Sequence, residues 1–345
     1  MLKARLLASA LLLASAGCAT TSAEPPAATR EYPQIGAIHR ASPALDALIA
    51  PDARIEKLAE GFGWSEGPVW IGGANGYLLF SDVPGNRIHR WSDADGLSTF
   101  LEPSGLGGLD PQQFREPGSN GLIRGPGNSI LMGDHGNRAI ARVDLATREK
   151  ILLATHFQGR RFNSPNDLVR ARDGSLYFTD PPYGLAGLDA SPLKEQPHNG
   201  VYRMAPDGEI TLLAADLTFP NGVILSPDER TLYVTNSDPR RAVVMAYALS
   251  SGRVTGTRLF ADLTFQVSDA RPGLPDGLAT DVEGNIFTTG PGGVHVFTPA
   301  GQHLGHIATG TAIANCKFGG DGRTLYMTSH NMLARVRTRT RGLQP

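Results

Sequence analysis

An all-β chain closed into a six-bladed β-propeller is what this sequence predicts, and three observations carry the prediction. A short pattern recurs six times, no stretch past the N-terminus keeps a helical period, and 41 Gly and 25 Pro in 345 residues suit many tight turns. The copies begin at Glu66-Gly67, Asn120-Gly121, Asn166-Asp167, Asn221-Gly222, Asp276-Gly277 and Asn315-Cys316, at intervals of 39 to 55 residues. Each opens with a polar residue and an apolar run. In most, a Gly- or Asp-containing turn such as Arg172-Asp173-Gly174 follows, and then an alternating strand such as 175–179. An interval of that length fits one four-stranded blade with its loops.

The last copy has too few residues left for four strands, while Arg54-Ile55-Glu56-Lys57-Leu58 precedes the first copy without a blade of its own. That segment is expected to close the sixth blade and so remove exposed sheet edges at the seam, in a propeller spanning 51–340. Longer insertions at 102–118, 183–199 and 266–273 form either a lid over one mouth of the channel or plain surface.

The N-terminus reads as an export signal over 1–17, with Lys3 and Arg5 ahead of an apolar run at 6–13 that is too short to span a bilayer. Ser15-Ala16-Gly17-Cys18 resembles a bacterial lipobox, so Cys18 is expected to carry lipid, and 19–50 to serve as tether and N-terminal extension. The expected location is the periplasmic side of the outer membrane, touched through the lipid only, with a soluble periplasmic protein as the alternative. Cys316 is the only other cysteine, so no intramolecular disulfide is expected. A net charge of −1 offers nothing to nucleic acid, and a monomer is expected.

In a propeller the first strand of each blade lines the axis, so Glu66, Asn120, Asn166, Asn221, Asp276 and Asn315 should converge at one end of the channel. All six carry a side-chain oxygen and two are acids. Crowded polar groups need water, one another or a cation. A hard divalent ion suits carboxylate and amide oxygens, calcium above all; magnesium, manganese and zinc remain alternatives, zinc the least suited to a ring without His or Cys. The plainer alternative is that Asn-Gly and Asp-Gly are turn dipeptides that merely start strands.

Four segments together, Ser65-Glu66-Gly67-Pro68-Val69-Trp70, Ser164-Pro165-Asn166-Asp167-Leu168, Pro220-Asn221-Gly222 and Leu274-Pro275-Asp276-Gly277, resemble the SMP-30/gluconolactonase/luciferin-regenerating-enzyme family over roughly 54–337. The resemblance implies that Glu66, Asn166, Asn221 and Asp276 coordinate the cation, with Asn166 contacting substrate in some members. Relatives place a substrate-binding Arg two residues before that Asn. Here Ser164 stands at that spacing, and Arg161 is the candidate to reach the site from a longer loop, unless it is a solvated surface residue. The segments 133–138 and 177–184 resemble the bacterial gluconolactonase branch. That implies hydrolysis of a small lactone, the cation polarising the carbonyl and Asp276 activating water.

Asn120 and His135 are further candidate substrate contacts, His135 with the alternatives of general base or hydrogen-bonded blade residue. A phosphotriesterase-like hydrolase on the same ring and a non-enzymatic binding propeller at the cell surface stay open. Covalent routes find no support: no H-E-x-x-H helix occurs, and the G-x-S-x-G match at Gly63-Trp64-Ser65-Glu66-Gly67 leads into an expected inner strand with no helical pattern after it, unlike a strand-to-helix nucleophile elbow.

Overall fold

Alternating apolar runs with turn residues at their ends pair here as antiparallel sheets arranged in sequence around an axis. The computed structural model describes residues 31–343 apart from 73–75, 109 and 111; the signal, Cys18 and the first part of the tether lie outside the described residues. Six sheets form blades I to VI, whose innermost strands are Ser65–Ile71, Ser119–Arg124, Leu168–Arg170, Pro220–Leu225, Leu278–Thr280 and Asn315–Gly319. Among the described residues the only helical elements are three short 3-10 turns, and no helix is long and apolar enough to cross a membrane.

The seam closes as the sequence predicts. Ile55–Glu60 is the fourth strand of blade VI, antiparallel to Met332–Arg337, with Ala59 opposite Leu333 and Ile55 opposite Val336. The chain before it is also part of the sheets: Gln34–Ile35 adds a fifth strand to blade VI, and Ala37–Arg40 a fifth strand to blade V against His303–Ala308. One stretch of N-terminal chain therefore straps the outer edges of the last two blades, which covers backbone donors and acceptors that an open edge would expose.

The core is divided among the blade interfaces. Leu79, Ile88, Leu122 and Met132 pack between blades I and II, and five further clusters fill the remaining gaps, including Phe80, Trp91 and Tyr326 across the seam from blade VI to blade I. Because each blade begins at the top of the channel and its strands alternate in direction, the links from strand two to three and from blade to blade return to that same face. All three long insertions are such links, so they gather around one mouth. Two of them interlock, through Arg115 N to the Gly184 carbonyl at 3.0 Å and Ala186 N to the Gln113 carbonyl at 2.9 Å.

Ile55 is 2% exposed and packs on Leu325 and Val336. Replacing it by Ala is expected to cost about 2–4 kcal/mol of stability, read as a lower urea midpoint. An unchanged midpoint would mean that this strand does not hold the ring shut.

Candidate active site

The six residues that open the repeats do meet at the top of the channel. Glu66, Asn120, Asn166, Asn221 and Asp276 line a cavity of about 830 Å³ together with Trp64, Tyr183 and Ser237. Asn315 does not line it. Its Nδ2 donates to Glu66 Oε2 at 3.1 Å while its Oδ1 accepts from the Cys316 amide, so it orients the acid from behind.

Glu66 takes both of its protein hydrogen bonds on Oε2, from Asn315 and from the Gly67 amide at 2.7 Å, which leaves Oε1 for a ligand. Asn166 Nδ2 donates to Asn221 Oδ1, whose own Nδ2 donates to Ser237 Oγ at 2.9 Å. The Asn120 side-chain oxygen is buried with no partner among the described residues. Burial without compensation is costly for such atoms, so this part of the wall is built to meet something that enters the cavity.

The electrostatics point the same way. Burial pushes the Glu66 carboxyl up to about 8, with the nearby Asp167 and Glu116 adding to the rise. Asp276 lies well above the carboxylate range, through burial first and then repulsion from Glu66, Asp167 and Glu116. Acids crowded in a low-dielectric pocket resist ionising together unless a cation joins them. The described residues contain no group of three His, Cys, Asp or Glu placed to hold a metal. The donors that do converge are two carboxylates and amide oxygens, a set that fits a hard oxygen-seeking ion and does not fit a soft one.

Two expected substrate contacts sit elsewhere. Arg161 belongs to a small hairpin, Arg160–Arg161 against His156–Phe157, and its guanidinium is occupied by the Asn137 carbonyl at 2.7 Å, away from the cavity wall. Ser164 cannot be exchanged for a longer residue to restore the family spacing. It is fully buried, bridges the Pro181 carbonyl and the Gly184 amide, and lies 2.9 Å from where a Cβ on Gly184 would fall. His135 is also fully buried, one layer behind the wall, with Nε2 3.2 Å from Asn166 Oδ1 and Nδ1 3.7 Å from Glu116 Oε2. Burial lowers its pKa to about 4, so it is neutral at pH 7, and with Asn166 Nδ2 given to Asn221 it is the Nε2-protonated tautomer that donates to Asn166 Oδ1.

The cavity wall also contains residues that motif reading did not reach. Arg115 and Glu116 come from the 102–118 insertion, Tyr183 from the 183–199 insertion and Arg271 from 266–273. Glu116 pairs with Arg115 at 3.1 Å, yet burial raises its carboxyl to about 7. The only sequence signal for Arg115, Glu116 and Arg271 was the extra length of their loops, whereas Tyr183 stands in the 177–184 segment that carries part of the family resemblance but no assigned role.

The profile of the SMP-30/Gluconolactonase/LRE-like region matches residues 64–331. A gluconolactonase of Zymomonas mobilis is 46% identical over 89% of this chain and 88% of its own length. A pentonolactonase of Haloferax volcanii is 26% identical over 76% of this chain and 80% of its own. Among solved structures, a gluconolactonase of Xanthomonas campestris superposes with a TM-score of 0.75 at 34% identity, covering 90% of this chain and 99% of that one.

The raised carboxyls set a direction for stability against pH. Without a cation, folded Glu66, Glu116 and Asp276 keep protons that the unfolded chain releases above the ordinary values of 4.5 for Glu and 3.8 for Asp, so folding weakens above those values and the Glu116 and Glu66 contributions are lost as pH rises through about 7 and 8. Buried histidines act oppositely, but only below about pH 6.5, where the unfolded chain takes up protons. Chelated protein is expected to melt at a lower temperature at pH 9 than at pH 7 (about one pH unit either side of the Glu66 value), and Glu66→Gln to flatten that slope. A melting temperature that climbs across the window would contradict the crowded-acid description.

Proposed function

The chain belongs to the SMP-30/Gluconolactonase/LRE-like family, and from that premise we propose that it is a lactone hydrolase that acts on a small sugar lactone at the top of the propeller channel. The observation that carries the proposal is the convergence of Glu66, Asn166, Asn221 and Asp276 on one cavity, beside a buried amide oxygen of Asn120 without a partner. Those four residues would hold a divalent cation, calcium by preference, which supplies charge compensation for the acids and Lewis acidity for the ester carbonyl.

The residues then divide the work. Asp276, whose side chain lines the cavity, orients a water and removes its proton as the oxygen adds to the carbonyl carbon. The ring C–O bond breaks, and the departing alkoxide recovers a proton, giving a hydroxy acid. Asn120 accepts a hydroxyl of the sugar. Asn315 fixes the Glu66 carboxylate, and neutral His135 supports Asn166 from behind. Tyr183, stacked on Phe219 at 5.8 Å, narrows the entrance and keeps bulk water from the ester.

Chelation is expected to abolish hydrolysis of glucono-δ-lactone, and Glu66→Gln or Asp276→Asn each to lower kcat/KM at least about a hundredfold, the scale of a lost electrostatic or general-base contribution. Hydrolysis unchanged in chelated wild type and in both variants would defeat the proposal. Turnover of a phosphotriester with none of any lactone would move the reading to that reaction class.

The N-terminal proposal stands beside it: an exported protein lipidated at Cys18 and working from the periplasmic side of the outer membrane. Cys18→Ser is expected to shift the protein from the membrane to the soluble fraction. Unaltered membrane retention in that variant would remove the lipid from the account.

A further inference from the structure

Two guanidinium groups face this cavity, and only one has its charge met. Arg115 is paired with Glu116 and half exposed. Arg271 has no carboxylate partner among the described residues; its Nε and Nη2 both donate to the Pro291 carbonyl, at 3.3 and 3.2 Å. Asp269 also lines the cavity, but it is exposed at the tip of the loop and makes no ion pair with Arg271.

Arg271 is held in place with care. The guanidinium lies against Gly292, a residue at φ +91°, where a Cβ would come within 3.2 Å of Nε. Its anchor, the Pro291 carbonyl, is fixed from the other side by His295 Nε2 at 3.1 Å. His295 is fully buried, and its Nδ1 lies 3.1 Å from His303 Nε2, so the tautomer that donates to Pro291 is set by a second histidine. Two N–H bonds to one carbonyl use a minority of the donors a guanidinium carries, and the remainder stay free of protein partners. A preset cation on a cavity wall, without a counter-ion, suits an oxyanion from the ligand. The cavity, at about 830 Å³, is also far larger than a single neutral sugar lactone fills.

Resting on the lactone-hydrolase reading, we infer that Arg271 forms an anion subsite and that the preferred substrates are lactones bearing a carboxylate or similar oxyanion away from the ester, as in acid-sugar lactones. Arg271 is then a specificity residue: it binds the far end of the substrate while the ring residues act on the ester.

The test compares kcat/KM for glucaro-γ-lactone, which keeps a free carboxylate, with that for neutral glucono-δ-lactone, in calcium at fixed pH. Wild type is expected to favour the acid lactone about tenfold or more, as a partly desolvated ion pair allows, with the margin shrinking in high salt. Arg271→Gln should erase the preference while leaving the neutral lactone within about threefold, and Arg271→Lys should keep part of it. No preference in wild type, or equal losses on both substrates in Arg271→Gln, overturns the subsite. If neither lactone is turned over, the lactone-hydrolase reading fails by itself. The subsite is then decided by calorimetry of glucarate against glucitol: selective glucarate binding lost in Arg271→Gln sustains it, and equal binding in both proteins ends it.

Discussion

Close approach of the six inner strands around the axis is the constraint on which the rest of this structure depends. At the ring the backbone of each blade lies almost on that of its neighbour. A Cβ on Gly222 would fall 2.1 Å from the Asp276 carbonyl oxygen, one on Gly67 would fall 2.1 Å from the Asn120 carbonyl, and one on Gly277 would fall 2.0 Å from the Asn315 amide carbon. Hydroxyls stitch the same contacts: Ser81 donates to the Asn120 carbonyl and Thr235 to the Asp276 carbonyl, both at 2.8 Å. The glycines after the ring residues are therefore clearance for a neighbouring strand more than turn formers. Only with that clearance can side chains far apart in sequence share one cavity.

This explains how much could be read from sequence. The polar residue followed by Gly, present in four of the six copies, is a direct imprint of ring closure and located Glu66, Asn120, Asn221 and Asp276, while the six copies together gave the number of blades. The unpartnered strand at 54–58 was legible because a last copy that runs out of chain needs a partner. Arg161 was not legible, because proximity of five positions in sequence to Asn166 says nothing about a hairpin that turns its guanidinium to Asn137. His135 was half legible: its place after an inner strand brought it near the ring, but the Glu116 loop in front of it comes from an insertion whose path no motif encodes.

The ring holds a conflict that the fold alone does not resolve. Asp167 sits directly after Asn166, fully buried, and meets Lys317 at 3.9 Å, while Lys317 is itself held by the Leu278 carbonyl at 2.7 Å. That one ammonium faces the acids from below. It only partly offsets the burial of Asp167, so Asp167, Glu66 and Asp276 all remain raised, which a chain selected only for stability would avoid by replacing one of them with an amide. Local frustration of this kind is expected where binding, and not folding, settles the charge.

The N-terminal strap and the ring are separated by the same geometry. The N-terminal chain joins the outermost positions of blades V and VI, through residues 34–40, whereas every ring residue sits on or just before an innermost strand. Between them lie the middle strands of each blade and an interface core that includes Leu325, Val336 and Phe287. A pull on the N-terminus would load edge strands first, and antiparallel ladders fray from the edge inward at a cost far below that of opening the ring. The wall of the cavity is supplied instead by the ring residues and by links on the top face. A change in the 34–40 strap can thus leave the ring undisturbed, and a change in the 102–118, 183–199 or 266–273 links can alter which ligand fits without disturbing how the ring is closed.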